Sequence, residues 1–264
     1  MRLAGRVNKR VDSLTVLTAV GRHDPFLTTT ADTVARFCAE ISARTEWVLA
    51  CDGIDHEWVE WLLKEYSDLN VRVLASESAE QVGPARTRNR ALIAAQGSVV
   101  STIDSDDAYL PAIAEMWERF TVSGLTWAAG TTEDIDTDGE TIWGGPHIAL
   151  NTGPQSKDVF LTYAQHHGYF PWHCCATLAR TKALTSAGSW DESEAFFQGE
   201  DVALWTRLSH RFTGFWFGEP VLSYRQHNRS LTKSYLWGNP TEKIIELLTA
   251  EHIAAVPTIQ TKRF

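Results

Sequence analysis

Four short runs rich in apolar and β-branched residues, 14–20, 47–51, 71–75 and 98–103, alternate with segments of helical period through the first hundred residues of a 264-residue chain. That alternation is met by parallel strands joined through helical crossovers, and the fixed hand of such crossovers leaves few topologies. Leu14 to Val20 reads as the first strand, closed by Gly21-Arg22-His23-Asp24-Pro25. Val34, Cys38 and Ile41 then share a helical face over Ala31 to Ser42, with Thr30 placed to cap it. Trp47 to Cys51 ends in Asp52-Gly53, a helix carries Trp58, Trp61 and Leu62, and Val71 to Ala75 is the third strand. Ser98 to Ile103, bounded by Gly97 and by acidic residues, has the unbroken apolar character of a central parallel strand buried on both faces. The expected architecture is α/β: a doubly wound, mixed but mostly parallel sheet with helices on both faces.

Directly after that strand comes Asp104-Ser105-Asp106-Asp107. Ligands of open α/β sheets collect beyond the carboxyl ends of the strands, and Asp104 and Asp106, two residues apart, can converge on one hard cation that neutralises a diphosphate. Asp106 or Asp107 also suits the N-cap of a helix beginning near Pro111, and the two roles are compatible. The preceding helix, Val82 to Gly97, carries Arg86, Arg88 and Arg90. Arg86 and Arg90 share a face and Arg88 points to the opposite side, so one set is expected in solvent and the other toward a phosphate or the acidic cluster.

Beyond Ala112 to Ser123, an amphipathic helix, and a strand from Leu125, the alternation breaks. Asp134-Ile135-Asp136-Thr137-Asp138-Gly139-Glu140 imitates a calcium-binding loop, but Gly145 stands where a bidentate Glu is required. Asp138-Gly139 between Ile135 and Ile142 reads instead as a hairpin turn. From there to Trp172 the aromatics, histidines, Gly and Pro follow no period, which suits loops that shape a pocket. Cys174 to Arg180 is strand-like and Thr181 to Ala187 a short helix stopped by Gly188. Glu200-Asp201 opens another helix, where a carboxylate is favoured both as a cap and by the dipole. Late strands at Phe215 to Phe217 and Val221 to Tyr224 lead into Arg225-Gln226-His227, and Thr241 to Ile253 is a terminal helix.

Composition narrows the function classes. A net charge of -9 without a Lys/Arg run argues against general nucleic-acid binding. Cys38, Cys51, Cys174 and Cys175 lack disulfide-framework or zinc spacing and read as core thiols. No window reaches membrane-spanning length and the first residues carry no apolar signal core, so the chain is expected to be soluble and cytoplasmic, and the Asn228-Arg229-Ser230 pattern to stay unglycosylated.

The order of five segments resembles the family 2 glycosyltransferases, which have the GT-A fold. They are Gly83 with Thr87-Arg88-Asn89, the buried run ending in Asp104-Ser105-Asp106-Asp107, Ala187-Gly188-Ser189-Trp190-Asp191-Glu192, Glu200-Asp201, and Tyr224-Arg225-Gln226-His227 continuing to Ser230 and Thr232. Two segments depart from the family: Ala19-Val20-Gly21-Arg22 stands where Pro-x-Tyr-Asn is common, and Cys51-Asp52-Gly53-Ile54 where Asp-Asp-Gly-Ser is common. The resemblance implies an inverting transfer from a nucleoside-diphosphate sugar to an acceptor hydroxyl. UDP is the favoured nucleotide, ahead of dTDP and GDP. It implies donor contacts at Thr18, Asp52, Arg88, Asp104 and Asp106, a Mg²⁺ or Mn²⁺ ion on Asp106 and His227, and Asp201 as general base. Residues 1–130 would then form the nucleotide-sugar half, 131–235 the acceptor and catalytic half, and 236–264 a C-terminal helix and tail. The acceptor is expected to be a small molecule or glycan rather than a membrane lipid. A nucleotidyltransferase acting on a sugar phosphate would show a Gly-rich phosphate loop after the first strand. A dehalogenase-type phosphatase would carry its Asp-x-Asp there. A non-catalytic nucleotide-sugar-binding module would share the binding residues without turnover.

Overall fold

The computed structural model describes residues 12–143, 150–193 and 199–228, together with 245, 246 and 248. The basic leader, the Phe196 to Gln198 stretch, Ser230, Thr232 and the body of the expected terminal helix lie outside the described residues.

One mixed sheet organises the chain. Its first half is parallel: β1 (Ser13–Val20) lies between β2 (Arg44–Cys51) and β4 (Val99–Thr102), and β3 (Val71–Leu74) pairs with the outer side of β2. Between these strands run α1 (Leu27–Glu40), α2 (His56–Leu63) and α3 (Pro84–Ala94), as the alternation in sequence requires. Burial explains why these residues make these strands. Leu14, Val16, Leu17 and Val20 of β1 and Trp47 to Cys51 of β2 are all at most 1% exposed, so the central strands are covered on both faces.

The second half is less regular. The short β5 (Ala108–Tyr109) precedes α4 (Ala112–Ser123), and β6 (Trp127–Ile135) then forms a hairpin with β7 (Thr141–Trp143) through Gly139 at φ 86°. After β8 (Gly153–Gln155) and α5 (Val159–His167), β9 (Thr177–Arg180) inserts antiparallel between β4 and β6. Then α6 (Thr181–Ser186) and α7 (Glu200–Arg211) lead to β10 (Gly214–Arg225), which lies parallel to β6. The strand order is β3-β2-β1-β4-β9-β6-β10-β5, with β7 on β6 and β8 on β10. The longest pairings, β1 with β2 and β10 with β6, are parallel.

Several local expectations are corrected. Helix α1 begins at Leu27, so Thr30 lies inside it rather than at its cap, and its hydroxyl donates to the carbonyls of Ser105 (3.1 Å) and Asp107 (2.7 Å). Neither Asp106 nor Asp107 caps α4, whose cap position is Pro111. The two late strands are one strand, β10, interrupted by a bulge near Gly218 at φ 82°, and the aperiodic stretch before Trp172 contains the helix α5. Among the described residues no helix is long and apolar enough to cross a membrane.

Candidate active site

The carboxyl ends of β1, β2 and β4 meet the start of α7 and the end of β10, and the acidic loop after β4 lies where they meet. Each carboxylate of that loop has a different environment. Asp104 is partly exposed and accepts from Arg88 Nη2 at 2.8 Å. Partial burial opposes its ionisation, but Arg88 and then His173 outweigh that and hold the carboxyl below its usual range. Arg88 itself is 8% exposed and uses Nη1 to reach Glu200 Oε1 at 2.9 Å, so one guanidinium ties the acidic loop to the first turn of α7. Arg86, by contrast, pairs with Glu77 at the surface, and Arg90 donates to the carbonyls of Cys51 and Ala75. Of the three arginines, Arg88 is the one turned toward the acidic cluster.

Asp106 Oδ2 carries two partners, Arg22 Nη2 at 2.7 Å and His227 Nε2 at 2.9 Å. Burial raises the Asp106 carboxyl, Asp104 adds to the rise, and His227 opposes it. Asp107 is 1% exposed and structural: Oδ1 accepts from the Arg225 backbone N–H at 3.0 Å, and burial with two neighbouring carboxylates lifts its pKa far above normal. Arg225 completes this clamp, its Nε donating to the Asp106 carbonyl at 2.9 Å, and it thereby fixes where His227 leaves β10. Asp52 lies at the end of β2 with both oxygens used, accepting from Val82 N (2.7 Å) and Gly83 N (3.0 Å). Those two N–H groups precede α3, so Asp52 holds the turn that enters the arginine helix.

Asp201 is in the first turn of α7, not at its cap. The cap position is Gly199, and Asp201 Oδ1 accepts from Val202 N at 2.7 Å. Its neighbour Glu200 is buried, and burial, reinforced by Asp201, pushes its pKa up to about 7 against the opposing pull of Arg88. Thr18 is not gathered with the others: it is 1% exposed, and its hydroxyl accepts from the Trp47 indole N–H at 3.0 Å within the core.

A cavity of about 370 Å³ opens beside these groups, lined among others by Thr132, Asp134, Tyr169, Trp172, His173 and Tyr224. Burial lowers the pKa of His173, a cavity-lining residue, and Asp104 and Asp201 pull it the other way. Its ring packs on Tyr224 at 4.5 Å between centroids. Neither His173 nor Arg22 has a signal in the sequence beyond its residue type, since each acquires its partners through the fold.

Among the described residues, three groupings could hold a metal ion. Asp104, Asp107 and Cys175, and likewise His173, Cys174 and Cys175, bring ligand atoms within 4.8 Å of one another. The contact with Cys175 favours a Cys174 thiolate but burial wins and lifts Cys174 to about 11, and burial raises Cys175 well above its ordinary value. Both groupings rely on sulfur, a soft ligand that suits a hard cation poorly. The carboxylate oxygen of Asp106, a ligand type that suits Mn²⁺ or Mg²⁺, converges with the imidazole nitrogen of His227, so the residues present fit such an ion.

The family model for glycosyl transferase family 2 matches residues 29–183. The chain belongs to glycosyl transferase family 2. A search of curated proteins gave no match. Among solved structures, S. aureus TarS 1-349 in complex with UDP-GlcNAc is similar with a TM-score of 0.64 at 16% identity, covering 86% of this chain and 62% of that one. The same TarS fragment in complex with UDP gives 0.62 at 15% identity, over 82% of this chain and 61% of that one. The family 2 chain described here thus spans about three fifths of those TarS chains, and the likeness is one of fold. That fold is the GT-A fold of glycosyltransferases. The family match reaches from inside α1 through β9, and so includes Asp52, Arg88 and the whole acidic loop.

Proposed function

We propose that this family 2 chain transfers a sugar from a UDP-sugar to an acceptor hydroxyl with inversion at the anomeric carbon. The observation that supports it most is the chain of contacts Asp104–Arg88–Glu200, which joins the acidic loop after β4 to the helix turn bearing Asp201. A link of this kind is what a donor-binding cluster and a base acting on the same pair of substrates would need. The TarS complexes hold UDP and UDP-GlcNAc on the same fold, which favours a uridine nucleotide here.

In this reading residues up to 130 receive the nucleotide sugar, with Asp52 toward the base, Asp104 toward the ribose and Arg88 orienting Asp104. Residues 131–235 receive the acceptor in the cavity, whose aromatic walls and Asp134 carboxylate suit a polyhydroxylated small molecule or glycan. Asp106 and His227 would hold Mg²⁺ or Mn²⁺, which when bound supplies Lewis-acid stabilisation of the departing diphosphate. Asp201 accepts the proton of the attacking hydroxyl. The Val202 N–H on Oδ1 leaves the other carboxylate oxygen for the proton. The acceptor oxygen bonds to the anomeric carbon as the bond to the diphosphate oxygen breaks, and a single displacement of this kind inverts the centre. Binding the two substrates in line supplies most of the remaining rate gain.

Thermal-shift titration with UDP, dTDP, GDP and their sugars, each with Mn²⁺ and with EDTA, tests this. UDP ligands should give the largest stabilisation, and EDTA or Asp106→Asn should abolish most of it. Equal shifts with and without the ion would remove the metal from the mechanism, and a larger shift with another nucleotide would replace UDP.

A further inference from the structure

Arg22 stands at the departure from the family's usual first-strand ending, and its guanidinium is built into the site from three sides. Nε donates to Asp24 Oδ2 at 2.9 Å, Nη2 donates to Asp106 Oδ2 at 2.7 Å, and the same Nη2 lies 3.4 Å from His227 Nε2. Asp24 is a fixed anchor rather than a loose surface partner. Its side chain is 1% exposed, and it also accepts from the Phe26 N–H at 3.0 Å. The Arg22 side chain remains 32% exposed, so part of the guanidinium's surroundings is solvent.

The guanidinium therefore occupies the same carboxylate oxygen and the same imidazole nitrogen that an ion on Asp106 and His227 would use. A fixed monovalent cation and a divalent cation cannot share that oxygen, because they repel at contact distance with little water between them. A nucleoside diphosphate offers Arg22 a better partner than a carboxylate already shared with His227, since its oxygens match the planar fork. We infer that Arg22 is the resident counter-ion of the Asp106–His227 pair and that a nucleoside diphosphate draws it off, so that divalent-ion binding is coupled to nucleotide binding. This rests on Asp106 and His227 being the ion's ligands. Asp24 serves as the pivot: it holds Nε while Nη2 changes partner. Coupling between two ligands is reciprocal, and typical strengths are about 5- to 150-fold.

The test is Mn²⁺ binding to the full chain by the loss of the free-ion EPR signal, without and with saturating UDP, for wild type, Arg22→Met and Arg22→Lys. The wild type should bind Mn²⁺ at least about tenfold more tightly with UDP than without it. Arg22→Met should bind Mn²⁺ without nucleotide about tenfold more tightly than wild type and lose most of the UDP effect, while Arg22→Lys, which keeps the charge, should stay close to wild type. Unchanged nucleotide-free affinity in Arg22→Met, with Mn²⁺ binding otherwise intact and dependent on Asp106, would overturn the role of Arg22 and leave the metal site standing. Absence of Mn²⁺ binding in every variant, with or without UDP, would overturn both. Arg22 is partly exposed at a strand end, and the melting temperature of each variant shows that the fold is retained.

Discussion

Glu200 is the residue whose surroundings make the clearest statement about pH. Burial and the neighbouring Asp201 lift its pKa from 4.5 to about 7, although Arg88 lies 2.9 Å away. A carboxyl whose folded pKa is raised contributes stability that is present below its unfolded pKa and is lost as the pH rises through the folded value. The stability of wild type relative to Glu200→Gln should therefore fall as pH is taken from about 4.5 to about 7 and then level off. Denaturant melts of both proteins across that window check it, and a difference independent of pH would show that Glu200 ionises normally. At this same scale the sequence is least legible. Asp104, Asp106 and Asp107 are adjacent and look alike in sequence, yet one pairs with Arg88, one with Arg22 and His227, and one closes on the Arg225 backbone. Their partners lie 16 to 121 residues away in sequence, beyond the reach of any local pattern. Thr18 carries the same lesson in reverse, since its place on β1 is as expected while its hydroxyl is spent on Trp47.

Among elements, the parallel half was readable because period and burial agree: β1, β2 and β4 are short apolar runs, and α1 and α2 show one apolar face. What could not be read were the insertions whose identity depends on pairing. The strand character of β9 is visible in sequence, but its antiparallel place between β4 and β6 is not, and the two residues of β5 are too few to show a period. The turn from α3 into β4 illustrates how tightly the elements are joined. Gly97 donates to Thr15 Oγ1 at 2.8 Å, and a Cβ there would lie 2.5 Å from the Thr15 backbone nitrogen, which cannot yield without moving β1. Gly97→Ala should cost on the order of 2 kcal/mol. Differential scanning calorimetry should show a melting temperature lower by several degrees, and an unchanged value would mean that β1 and β4 tolerate a shift. Because β4 carries the acidic loop, nucleotide binding should weaken with it.

At the scale of the whole molecule, the sheet divides its labour by regularity. The ordered parallel half presents strand ends, and the irregular half supplies α5, the aromatic cavity wall and the start of α7. Arg88 spans the two, 112 residues from Glu200 in sequence and in contact with it in space. Arg88 also ties the acidic loop to the helix turn that bears Asp201, the proposed general base. Turnover and UDP affinity of Asp201→Asn, followed side by side with melting temperature, test that most directly. UDP release from a UDP-sugar, to water or to an added acceptor, should fall about a hundred- to ten-thousand-fold, because an amide cannot accept the proton. UDP affinity and melting temperature should hold, since Asn can still accept from Val202 N–H. Near-normal UDP release from Asp201→Asn would contradict the account and move the base to another group, with Glu200 the nearest carboxyl.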